Sequence, residues 1–113
     1  METATLIRGE SIMAIFTNLV DQKKLPDKFE LSQNNPNPFK GKTTIRFSVP
    51  YKTKVIIMIN NAEGQVIHKI ISQNQEPGTY EIEFYADGLP KGNYFYHMIT
   101  DEYFKSREME LIK

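Results

Sequence analysis

A chain of 113 residues is long enough for one domain with one core and too short for two. Its 14 Lys and Arg balance its 14 Asp and Glu to a formal net charge of zero, which argues against nucleic acid as a partner and against a polybasic membrane patch. Hydrophobic residues at 40% and charged residues at 25% describe a globular chain, and the absence of cysteine removes disulfides, thiol nucleophiles and cysteine-ligated zinc.

Residues 1–25 differ in pattern from the rest. Ile12, Ile15, Phe16, Leu19 and Val20 share one helical stripe behind a capping Ser11. The segment reads as a short amphipathic helix or a frayed tail, with the end of a larger upstream protein as the alternative. Its apolar run, Ile12 to Phe16, is too short for a secretory signal, and Glu10 sits directly before it. The chain as given therefore carries no export signal, and no stretch approaches the ~20 apolar residues of a membrane-spanning helix. Lys23 to Asp27 reads as a linker, because Pro26 disfavours helix in the residue before it.

From Phe29 onward the apolar period becomes two. After the short Phe29–Leu31 segment, Thr43 to Val49 alternates with Ile45, Phe47 and Val49 on one face, and Pro50 stops it. Lys54 to Ile59 is a nearly continuous β-branched run, suited to a central strand buried on both faces or close to it. Asn60 to Gly64 supplies turn chemistry, so residues 54–71 read as a hairpin whose second strand is Val66 to Ile71. Glu76-Pro77-Gly78 punctuates before Thr79 to Phe84, which places Tyr80, Ile82 and Phe84 on one side. A long turn from Asp87 to Asn93 precedes the aromatic strand Tyr94 to Ile99. Asp101-Glu102 turns the chain into the last strand, Phe104 to Ile112. Seven short strands with turn signals between them predict an all-β fold, an antiparallel immunoglobulin-like sandwich.

Catalytic chemistry is hard to find. His68 and His97 lie in strands without partners at a ligand or catalytic spacing, and read as ordinary surface or cross-strand residues. No Gly-x-Ser-x-Gly elbow exists, and Gly64, Gly78, Gly88 and Gly92 each stand alone in a turn rather than in a phosphate loop. Asp87-Gly88 with Glu83 lacks the alternating Asp/Asn spacing of a calcium loop. Tyr94, Phe95, Tyr96 and Tyr103 allow a stacking face, through an exposed Tyr94–Tyr96–Met98 stripe, or else they fill the core. The residues point to no enzyme, no cofactor, no metal and no small-molecule substrate.

Three features are more specific. Asn34-Asn35-Pro36-Asn37-Pro38-Phe39 predicts a stiff, irregular crossing between the first two strands, because alternate prolines fix φ and the asparagines can bond nearby backbone. Gly92-Asn93-Tyr94-Phe95-Tyr96 sets a tight turn before an aromatic strand. Arg107 to Lys113 alternates and ends on lysine.

In this order, these features resemble the type A C-terminal sorting domain of the bacterial type IX (Por) secretion system, from about Leu25 to Lys113. The family's opening motif is met by Pro26, Phe29, Leu31, Gln33, Asn34, Pro36, Asn37, Pro38 and Phe39, and its next strand by Thr43, Ile45, Phe47 and Pro50. Gly64, Gly78 and Tyr80 match its turns, Leu89, Gly92, Tyr94 and Tyr96 its aromatic element, and Met109, Leu111 and Lys113 its terminal strand. Asn35 stands where the family usually has an aromatic residue, and Asn60-Asn61 where it often has Tyr-Asp.

The resemblance implies a non-catalytic address. Residues 26–113 would be the sorting domain and residues 1–25 an extension or cargo remnant, with a cleavage region at or beside residues 17–25. Sorting residues would be Pro36, Asn37, Pro38, Phe39, Gly92, Tyr94, Tyr96, Met109, Leu111 and Lys113. The implied partners are the outer-membrane translocon, a sortase and an N-terminally attached cargo. The implied destination is the cell surface or the medium, after transit through the periplasm. An open edge at the C-terminal strand would permit strand addition, and Lys113 with a free carboxylate would be a charged handle. The alternative function is an immunoglobulin-like adhesion or carbohydrate-binding module with the aromatic strand as its contact face.

Overall fold

The computed structural model describes residues 2–5, 15–19 and 25–112. They form β1 (Glu2–Thr5), β2 (Ile15–Leu19), β3 (Glu30–Leu31), β4 (Lys42–Val49), β5 (Thr53–Asn61), β6 (Val66–Gln75), β7 (Gly78–Tyr85), β8 (Gly92–Ile99) and β9 (Phe104–Leu111). One sheet runs β1-β2-β7-β4-β3 and the other β6-β5-β8-β9, with every strand pair antiparallel. Strands β3 to β9 are the seven expected from the alternation.

The N-terminal segment departs from its helical reading. Ile15–Leu19 is a strand paired with β7, Thr17 opposite Ile82 and Leu19 opposite Tyr80, and Glu2–Thr5 pairs with it in turn. Ile12 and Val20, also on the expected helical stripe, lie outside the described residues. The physical reason is that β7 would otherwise present an open edge, whereas a short isolated helix has little stability of its own.

The two inner faces meet as alternation requires. Ile45, Phe47 and Val49 of β4 join Tyr80, Ile82 and Phe84 of β7 from one side, and Val55, Ile57 and Ile59 of β5 join Tyr94, Tyr96 and Met98 of β8 from the other. Phe47 lies opposite Tyr80, the rings stacked with centroids 5.2 Å apart. The outer residues Ile56 and Met58 are half-buried, so β5 comes close to burial on both faces. On the first sheet the outer face is polar and carries the Arg46–Glu81 and Lys42–Glu83 ion pairs.

Two details fix the topology. β6 pairs with β5 rather than with β7, so the fourth strand of the sandwich belongs to the second sheet. At the crossing from β7 to β8, the Tyr94 hydroxyl donates back to Pro90 O at 2.5 Å, four residues upstream. A tyrosine hydroxyl bonded a few residues upstream also pins a crossing in immunoglobulin-like sandwiches, and the bond gives Tyr94 a structural role at the entry to β8.

Strand direction sorts the loops into two poles. Residues 25–29, 50–52, 76–77 and 100–103 lie at one end of the sandwich. Residues 36–41, 62–65, 86–91 and 112 lie at the other.

Candidate functional site: a clasp on the last strand

The crossing between β3 and β4 does not stay with its own sheet. It passes to the second sheet and bonds the outer side of β9. Phe39 N–H donates to Glu110 O and Ile112 N–H to Phe39 O, each at 2.9 Å, which makes Phe39 and Leu111 a parallel bridge. Asn37 Oδ1 accepts the Glu110 N–H at 2.9 Å, and Gln33 Nε2 donates to Glu108 O at 2.7 Å. Backbone groups that an edge strand would leave open are therefore already paired. The expected open edge at the C-terminal strand is corrected here: from Glu108 to Ile112 the loop occupies it, because an unpaired edge is a standing invitation to wrong pairing.

The loop is held rigid from within. Asn34 is 2% exposed, and its Nδ2 donates to Thr43 Oγ1 at 3.0 Å and to Pro36 O at 3.1 Å. Thr43 Oγ1 donates to Pro36 O at 2.8 Å, and Gln33 Nε2 to Asn34 Oδ1 at 2.7 Å. The Asn35–Pro36 and Asn37–Pro38 peptide bonds are both cis. Phe39 then drops its ring into the core, 1% exposed and edge-on to Phe84 at 6.4 Å.

Two longer contacts tie the start of the loop to the second sheet. The Tyr96 hydroxyl donates to Ser32 O at 2.6 Å, and Arg107 Nε to Leu31 O at 2.9 Å. Tyr96 is fully buried, and burial pushes its pKa up to about 12 against opposing pulls from the Asn34 backbone and the Arg107 charge.

The structure brings most of the sequence-derived residues together. Asn37 and Phe39 engage β9 directly, while Pro36 and Pro38 are exposed and shape the loop. Met109 and Leu111 are buried on the inner face, Tyr94 opposite Met109 and Gly92 opposite Leu111. Tyr94, Tyr96 and Met98 are 4%, 0% and 0% exposed, so this stripe fills the core and offers no contact face. Lys113 lies outside the described residues. Gln33, Asn34, Thr43 and Arg107 hold the clasp yet are absent from that set of ten. Their contacts reach as far as 76 residues along the chain, a distance over which no local pattern speaks.

The histidines are cross-strand residues. His97 Nε2–H donates to Asn60 Oδ1, its Nδ1 accepts from Ser106 Oγ at 2.6 Å, and burial lowers its pKa. His68 stands edge-on to Phe84 at 6.2 Å. Among the described residues no group of three or more His, Asp or Glu is arranged to hold a metal ion.

The model of the family described as the secretion system C-terminal sorting domain matches residues 35–112. No curated protein and no solved structure matches the chain.

Proposed function

Because the chain belongs to the secretion system C-terminal sorting domain family, we propose that residues 26–113 act as a folded address, read as a body rather than as a linear tail. The chain carries a C-terminal sorting signal of type IX secretion. Such a tail implies export across the outer membrane to the cell surface or the extracellular space, with the secretion machinery and an N-terminally attached cargo as partners.

The observation that supports a folded address is the clasp. The Asn-Pro-Asn-Pro-Phe loop, the aromatic strand and the terminal strand form one bonded unit, so the last residues have a fixed shape only when the whole sandwich is folded. In this reading the translocon recognises that shape and a sortase cuts within or beside residues 17–25. The cargo is then attached to the surface or released. The body itself performs no catalytic step, and Lys113 serves as a charged handle. The adhesion and carbohydrate-binding alternative draws no support, since the aromatic strand it needs as a contact face is buried.

The test is a transport assay with the full chain fused behind a periplasm-targeted fluorescent protein in a host with a type IX system. Met109 and Leu111 are core residues, so removing Met109 to Lys113 would unfold the body as well as delete the signal. The informative truncation stops short, removing only Ile112 and Lys113. Surface or medium fluorescence from the intact fusion supports sorting. Its retention in the periplasm refutes it. If the short truncation is retained while remaining folded, the terminal residues are part of what is read.

A further inference from the structure

The outer faces of the two sheets differ in chemistry. On β4 and β7 the face is polar and carries the Arg46–Glu81 and Lys42–Glu83 ion pairs. On the β6-β5-β8-β9 sheet the same alternation turns apolar side chains outward. Register sets Ile56 of β5, Ile99 of β8 and Phe104 of β9 in one row across the strands. Met58 and His97 share the next row, and Val66, Asn60 and Phe95 the one after it. Phe104 is 64% exposed and Val66 57%, while Ile56, Met58, Phe95 and Ile99 are half-buried. Because β1 and β2 extend the other sheet, the described upstream strands leave this face uncovered.

The middle of the face is already ordered. His97 stacks on Phe104 with ring centroids 6.1 Å apart, and its bonds to Asn60 and Ser106 run across the strands. Order present before association costs little entropy on association. The flanks carry opposite charges. Lys69 stands beside Met58 on β6, a strand that holds no acid, and Glu108 and Glu110 occupy outward positions of β9, which hold no base. None of the three takes part in the ion pairs found among the described residues, which are Lys42–Glu83, Arg46–Glu81 and Lys52–Glu76.

We infer that this face binds a second copy of the same chain. A twofold contact uses the same patch on both partners, so the patch must complement itself. This one does. A twofold axis running along the strands, between the two faces, lays β6 of each copy over β9 of the other. Lys69 of each copy then meets Glu108 of the other, and the two apolar middles close together. A partner of one charge sign, whether a polypeptide or an anionic membrane, would satisfy one flank and set the other against like charge. Area sets the strength. Four strands about 4.8 Å apart, each about 27 Å long, make a face of about 500 Å². Two copies thus cover about 1,000 Å², near the lower limit for a specific contact, and the dimer is weak and reversible, with a dissociation constant on the order of 100 μM. This contact requires nothing of the sorting reading.

Sedimentation velocity on the full chain, from about 10 μM to about 1 mM, tests the pairing. The wild type should pass from monomer to dimer over that range. Phe104→Ser, Lys69→Glu and Glu108→Lys all change exposed positions. Each, checked for an unchanged unfolding temperature, should weaken association about tenfold or more. The decisive sample is an equimolar mixture of Lys69→Glu and Glu108→Lys. In the mixed dimer both flanks are again opposite in charge, so the mixture should associate as the wild type does, although neither variant does so alone. A merely structural effect of either substitution is not rescued in this way. A wild type that stays monomeric at about 1 mM overturns the inference and leaves the face to another partner. A dimer that survives Phe104→Ser overturns it too, since the contact then lies elsewhere, as along the β6 edge. So does a mixture that associates no better than its components.

Discussion

Tyr96→Phe removes one oxygen atom from the centre of the clasp and has two consequences of opposite sign. At neutral pH it deletes the hydrogen bond from a fully buried phenol to Ser32 O. Leaving a buried acceptor unpaired costs about 1–3 kcal/mol; Ser32 is half-buried, so water replaces the phenol in part and the expected loss is about 1.5 kcal/mol. At high pH the balance changes. The wild-type phenol ionises near 10 when unfolded but only at about 12 when folded. Between those values the native state holds a proton that the unfolded state has released. Stability is thus fully present below about pH 10 and is lost as pH rises toward about 12. At about pH 11 the loss is about 1.4 kcal/mol, or one unit of pKa difference expressed. Burial and neighbouring carboxylates also raise the pKa values of Tyr51, Tyr80, Tyr85 and Tyr94, but these act equally in both proteins and cancel in the difference. Urea unfolding followed by far-ultraviolet circular dichroism should therefore show Tyr96→Phe less stable than wild type near neutrality, and the two nearly equal at about pH 11. A stability difference that stays constant over this range refutes the assignment of Tyr96 as the buried, Ser32-bonded phenol.

The other expectations concern the same unit. Phe39→Ala empties a core position that is 1% exposed and should cost about 3–5 kcal/mol in the same assay, whereas Phe39→Leu should cost less than about 1.5 kcal/mol; equal losses would mean the ring does not pack on Phe84. Asn37→Ala should speed hydrogen exchange at the Glu110 amide while the Phe39 and Ile112 amides stay protected, since those two bond backbone rather than the Asn37 side chain. His97 is held neutral by burial, so just below pH 6.5 the unfolded state binds more protons than the native one. Its contribution is present above that pH and lost as pH falls through the lowered native value, and His97→Gln should flatten that part of the acid limb measured by thermal unfolding.

Much of this protein was legible along the chain. Period-two alternation gave β4, β7, β8 and β9 and named the apolar faces of β4 and β7, because a strand's inward and outward positions are set by neighbours two residues apart. Only the folded chain showed that Tyr94, Tyr96 and Met98 face the core. Asn60 to Gly64 marked the β5–β6 hairpin, because turn geometry is chosen by the residues within the turn. The same local logic failed for residues 15–19. A helical stripe and a strand can both be read from Ile, Phe and Leu there, and the open edge of β7 decided between them.

The sequence by itself also flagged Asn37, Phe39, Tyr94, Tyr96, Met109 and Leu111 as special, but not what they are special for. Only the tertiary structure decided that the loop after β3 crosses to the other sheet, that it closes the edge of β9, and that Tyr96 and Arg107 tie it down across 64 and 76 residues. Only the tertiary structure placed Val66, Phe95 and Phe104 on one sheet face between Lys69 and Glu108. The reason is physical. Local propensity acts over a turn or a strand, whereas an unpaired edge or a buried hydroxyl is satisfied by whatever the folded chain brings within about 3 Å, however distant in sequence.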